Sequence, residues 1–191
     1  TVYYKEYITQ ISIPGKIEIL NYECICLSPY LDSGGVKTVA GGSTASDIPD
    51  LANWPWSTTI SIERAFELFN NHIKKYSDAV SGKLKVSLPQ HKFDALVSIC
   101  YNIGIGGMSS STFMKRVNLE NSDGHICNAI KRWHKDNGRV VKGLINRRNK
   151  ECGLYTSGVY VSGGMVDLVP VSGRRKPDYS KGVKIDARKY M

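Results

Sequence analysis

The stretch Asn21-Tyr22-Glu23-Cys24-Ile25-Cys26-Leu27-Ser28-Pro29-Tyr30-Leu31-Asp32-Ser33-Gly34-Gly35-Val36-Lys37-Thr38 decides how the rest of the chain is read. Upstream, Ser12 and then Pro14 mark a helix start, and Ile13, Ile17 and Leu20 share one helical face, so a helix expires near Glu23. Pro29 and the cluster Ser33-Gly34-Gly35 break helix and place Asp32 in a turn. Val36 to Thr44, with Gly41-Gly42, reads as a strand or hairpin whose glycines let the backbone pass close to a neighbour, often a ligand. A helix end, a turn and a strand thus deliver two carboxylates and the hydroxyl of Thr38 toward one another. Two carboxylates in unequal surroundings suit glycosidic bond hydrolysis: one gives up a proton, the other handles water or the sugar cation. An acidic pair alone is weak evidence, because most are solvated surface charges.

At 191 residues the chain supports one domain with room for two lobes, and its 41% hydrophobic and 23% charged residues fit a folded protein. No apolar run is long enough to span a membrane. The chain begins at Thr1 rather than Met, which fits removal of an upstream segment. The net charge is +9, and residues 171–191 hold seven Lys/Arg against two Asp, a net +5. Such a balance seeks polyanions: nucleic acid, anionic lipid or acidic envelope polymers, with a solubilising tail as the bland alternative. Five cysteines cannot all pair within one chain, and Cys24-Ile25-Cys26 is too tight for a zinc knuckle; buried, reduced thiols are expected.

Residues 1–10 read as an irregular or paired arm. Trp54-Pro55-Trp56 lies in a loop, where indoles either stack on sugar rings or pin the loop. Ser61 caps a helix whose face is Ile62, Ala65, Phe66, Phe69, Ile73 and Tyr76, followed by a linker over Ser77 to Lys85. Residues 90–101 form a buried helix ended by Asn102-Ile103-Gly104-Ile105-Gly106-Gly107. Short helices follow after Ser111 and after Ser122, then a turn at Asp136-Asn137-Gly138 and an Arg-rich helix over Gly143 to Leu154. From Thr156 the texture becomes Gly, Ser, Val and basic residues, either a strand-like wrap or a flexible tail.

The order Glu23, Asp32, Thr38 resembles the catalytic pattern of phage-type lysozymes (endolysins, glycoside hydrolase family 24). Gln90-His91-Lys92-Phe93-Asp94-Ala95-Leu96-Val97-Ser98 strongly resembles that family's Q-x-x-F-D-A-L-V-S helix. Gly15, Asn102-Ile103-Gly104, Ser111-Thr112, Arg132-Trp133, Gly138, Gly143-Leu144, Arg147-Arg148 and Glu151 continue the likeness, which covers about Ile11 to Tyr155. Two departures stand out. Thr38-Val39-Ala40-Gly41-Gly42-Ser43-Thr44 replaces the usual T-[IV]-G-Y-G-[HS]-T, so an aromatic beside the cleft is absent, and Cys24 stands where Gly commonly follows Glu.

The resemblance implies an α+β, mainly α, two-lobed fold, with a small hairpin lobe (about 15–60) and a larger helical lobe (about 77–155). Together they make a catalytic domain over 1–155, with 156–191 as a basic C-terminal extension. It implies hydrolysis of the β-1,4 bond between N-acetylmuramic acid and N-acetylglucosamine in peptidoglycan, with inversion, leading to bacterial cell lysis. Glu23 would be the general acid, Asp32 the ionised carboxylate that orients a water and favours the positive charge developing on the sugar, and Thr38 the group that holds that water in line. Asn102, Gly41 and Gly42 are the candidate substrate contacts. Helix-surface, solvated positions are expected for Arg147 and Arg148, with pairing to Glu23 as the alternative. Surface positions are expected for His72, His91, His125 and His134, and neither metal nor other cofactor is expected. The implied partner is a peptidoglycan glycan strand, with anionic envelope polymers drawn to the basic tail, no nucleic acid, and a monomeric state. The implied place of action is the bacterial periplasm or cell wall after synthesis in the host cytoplasm. A catalytically inert glycan-binding module and a lytic transglycosylase remain the alternatives.

Overall fold

The computed structural model describes residues 7–191, so the arm expected over residues 1–10 lies largely outside the described residues. The first helix, α1 (Ile13–Glu23), starts where Ser12 accepts a hydrogen bond from the Gly15 N–H at 3.1 Å. Ser12 is itself held by Asp94, which accepts its N–H at 3.0 Å and its hydroxyl. The buried Asp94 also accepts from Gln90 at 2.8 Å and from the Tyr160 hydroxyl at 2.7 Å. A Cβ on residue 15 would come within 2.5 Å of Asp94, so glycine is required there for space.

The chain divides into two compact units: residues up to Gly15 with Lys74–Tyr160, and Lys16–Ile73 with Val161–Met191. The fold is α+β and mainly α. Helix α2 (Ile62–Lys83) contributes residues to both units. It continues to Lys83, through most of the linker expected over Ser77 to Lys85, because Ser77 and Val80 are buried and extend the face of Phe66, Phe69 and Ile73.

The helical unit adds α3 (Gln90–Ile103), α4 (Ile105–Ser110), α5 (Thr112–Asn118), α6 (Asp123–Ile130) and α7 (Lys142–Ser157). Ser111 and Ser122 cap α5 and α6, as their positions before apolar runs foretold. Phe93, Leu96, Val97, Phe113, Ile126, Ile130 and Tyr155 are buried in this unit. Burial of side chains of this size stabilises by about 1.5–3 kcal/mol each. Helix α4 lies where Gly106-Gly107 reads as a helix end; it holds because Met108 is buried. The Asn137-Gly138 turn joins β3 (Lys135–Asp136) to β4 (Arg139–Val140), with φ of 47° and 77° at its centre, as a two-residue hairpin demands.

In the other unit, β1 (Cys26–Leu31) pairs antiparallel with β2 (Lys37–Ala40), and the register shifts between Cys26 and Tyr30. Pro29 sits in that irregularity, where its missing N–H costs no ladder bond; this is why a strand forms across a residue that reads as a breaker. Residues 161–191 fold as part of the same unit. The strands β5 (Met165–Leu168) and β6 (Val183–Asp186) pair antiparallel, and Ile25 bonds on both sides to β5 through Asp167 O and the Val169 N–H, each at 2.8 Å. Val166, Val169 and Ala187 are buried, and Tyr190 stacks on Phe66 at 5.1 Å. Of the two readings of this segment, the strand-like wrap is the one observed.

Candidate functional site

Glu23 is the last residue of α1, and its successor must turn the chain out of the helix. Cys24 does so at φ 60°, its N–H returning to Leu20 O at 2.8 Å in the left-handed helix stop that glycine usually makes. Asp32 follows β1 and closes the hairpin turn. Its N–H donates to Val36 O at 3.0 Å, its carbonyl accepts from Gly35 at 3.1 Å, and its carboxylate Oδ1 accepts the Val36 N–H at 2.8 Å. One carboxylate oxygen is therefore fixed in direction by the turn itself.

Glu23 and Asp32 line one cavity of about 350 Å³, together with Tyr30, Lys176, Pro177 and Tyr179. The last three belong to the C-terminal segment. Lys176 Nζ donates to the carbonyls of Leu31 at 3.1 Å and Asp32 at 2.7 Å, and the Leu31 N–H donates to Arg175 O at 2.7 Å. Lys176 thus moors the C-terminal segment to the backbone of the Asp32 turn.

Thr38 is on β2 and is 2% exposed, its hydroxyl donating to Val36 O at 2.9 Å. It is not on the wall of the cavity that Glu23 and Asp32 share. A hydroxyl that donates once retains capacity to accept. Gly41 is buried, and a Cβ there would meet Leu20 at 2.7 Å and Phe69 at 2.9 Å, so the close approach its glycine permits is to core side chains. Gly42 is half-buried at φ 125°. Asn102 belongs to the helical unit, where its side-chain oxygen accepts from Arg148 at 2.8 Å.

Two surface expectations are corrected. Arg147 and Arg148 are buried, at 8% and 0% exposure, because Glu151 is buried with them. Arg148 Nε lies 2.6 Å from Glu151 Oε2, and Oε1 accepts from Arg147 Nε at 3.1 Å and from the Ser98 hydroxyl at 2.7 Å. Buried charge is tolerated when it is paired and hydrogen-bonded. His72 is also buried, its Nδ1 2.8 Å from Asp47 Oδ2. All five cysteines are buried free thiols. The hydrogen bond with Cys24, then burial, push the Cys26 thiol up, and burial pushes Cys100 up to about 12. Trp56 is half-buried, with Lys37 Nζ 4.5 Å and Arg175 Cζ 4.2 Å from its ring centre, so two cations flank it.

Residues 20–151 match the model of the phage lysozyme family. The chain belongs to that family. Among its relatives, the endolysin of Bacillus phage PZA is 33% identical over 151 residues, which cover 78% of this chain and 56% of that protein. The chain thus spans little more than half of that relative's length. The endolysin of Salmonella phage P22 is 32% identical over 149 residues, covering 78% of this chain and 99% of its own length. Among solved structures, the muramidase domain of SpmX from Asticaccaulis excentricus superposes with a TM-score of 0.68 at 27% identity, covering 78% of this chain and 100% of that one. The family match stops at residue 151, so Lys176, Pro177 and Tyr179 lie outside it. Sequence reasoning did not place them at the site, and no local pattern in the segment marks them.

Proposed function

We propose that this chain is a lysozyme-type glycosidase that hydrolyses peptidoglycan at the β-1,4 bond between N-acetylmuramic acid and N-acetylglucosamine, with inversion, in bacterial cell lysis. The observation that carries the reading is the meeting of Glu23 and Asp32 on one cavity in a member of the phage lysozyme family. Glu23, at the end of α1, donates its proton to the leaving glycosidic oxygen as the C–O bond breaks. Asp32, its carboxylate aimed by the Val36 N–H, takes a proton from the water that attacks the opposite face of the sugar. Thr38, off the cavity wall, holds Val36 through its hydroxyl and so steadies the N–H that aims Asp32. Gly42 contacts the glycan, and the site of action is the bacterial cell wall.

Glu23→Gln keeps the shape of the side chain and removes the titrating proton. Cleavage of purified sacculi should fall by about 10²–10⁴-fold while the circular dichroism spectrum stays that of the parent. Substantial residual cleavage by a folded Glu23→Gln chain would overturn the assignment of the acid.

A further inference from the structure

The C-terminal segment does more than brace the hairpin. Residues 171–179 form a tight loop: Ser172 N–H donates to Lys176 O at 2.8 Å, Arg175 N–H to Ser172 O at 2.9 Å, and Asp178 N–H to Pro170 O at 2.8 Å. This loop leans on Leu31 and Asp32 through the bonds of Arg175 and Lys176, so whatever it carries is held at a fixed distance from the Asp32 turn. At its end the one-turn helix Tyr179–Lys181 presents Tyr179 on the cavity of Glu23 and Asp32. Tyr179 is 68% exposed while lining the cavity that holds Glu23 and Asp32. An aromatic ring standing open on the wall of a cavity lined by charged side chains offers an apolar face to whatever enters it. Gly41, buried against Leu20 and Phe69, offers no side chain to a ligand.

We propose that Tyr179 is the sugar-stacking wall of the Glu23–Asp32 cavity, packing its ring against the apolar face of a glycan pyranose, so that a segment outside the family's matched region sets substrate affinity. This rests on the muramidase reading above, and it adds a contact residue to it. Tyr179 binds and does no proton transfer. Lys176 is a positioning residue that holds the loop to the Asp32 turn.

The test measures binding rather than turnover. In the full chain carrying Glu23→Gln, the dissociation constant for a soluble N-acetylglucosamine–N-acetylmuramic acid oligosaccharide is compared among three further variants, with circular dichroism checking the fold. Tyr179→Ala should weaken binding about five- to tenfold, while Tyr179→Phe and Tyr179→Trp, which keep a ring, should stay within about twofold of the parent. Equal binding by Tyr179→Ala would overturn the proposal. So would a loss in Tyr179→Phe as large as in Tyr179→Ala, since that pattern assigns the effect to the hydroxyl rather than the ring. Cleavage by the Glu23→Gln parent would sink the muramidase mechanism while leaving this binding comparison readable; failure of the parent to bind the oligosaccharide at all would sink both.

Discussion

At the scale of single residues, two neighbours on the hairpin should respond in opposite ways. Gly41 has an ordinary backbone but no room: an added methyl meets Leu20 and Phe69 well inside contact distance. Gly41→Ala should therefore cost about 1–3 kcal/mol in urea denaturation, the usual penalty for overpacking. Ala40 has the reverse problem, with a buried methyl on a backbone at φ 58°. A left-handed conformation costs a non-glycine residue about 1–2 kcal/mol, and a lost buried methyl about 0.8 kcal/mol. Ala40→Gly should thus leave stability within about 1 kcal/mol of wild type, and a loss like that of Gly41→Ala would contradict this account. Both departures from the family's glycines, Cys24 and Ala40, fall on left-handed backbone. Their sequence positions were legible; that this chain tolerates the strain by burying each side chain was not.

At the scale of elements, the legible parts were those whose signal is local. Caps at Ser111 and Ser122 and the apolar periodicity of α3 are read from a few adjacent residues, and the structure forms helices there. Strand β1 was illegible because Pro29 reads as a breaker unless the bulge opposite β2 is known. The buried Arg147–Arg148–Glu151 cluster was illegible for a similar reason, since Ser98, a long-range partner, completes it. The C-terminal segment is the largest case. Nothing in its Gly-, Ser- and Lys-rich texture discloses that Val166, Val169 and Ala187 are buried in the unit that holds the β1–β2 hairpin. Removing residues 161–191 should accordingly behave as a core truncation: the remaining chain should lose its cooperative thermal transition or melt at least about 10 °C lower. A truncated chain that melts like the parent would show the segment to be a dispensable tail.

At the scale of the whole molecule, the charge of +9 is partly spent inside the fold. Lys176 holds backbone carbonyls, Arg175 covers Trp56, and Lys184 and Arg188 pair with Asp167 and Asp186. The attraction to an anionic envelope polymer should then be a diffuse effect of net charge, weakening smoothly as salt rises from 0.01 to about 0.15 M and the Debye length falls from about 30 to 8 Å. Binding insensitive to salt in that range would point to a specific site instead. The central claim concerns the reaction itself, and mass spectrometry of the fragments released from purified peptidoglycan tests it most directly. Wild type should give saccharide products ending in reducing N-acetylmuramic acid, with Glu23→Gln giving none; 1,6-anhydro-muramic ends, or reducing N-acetylglucosamine ends, would contradict hydrolysis by a water poised between Glu23 and Asp32.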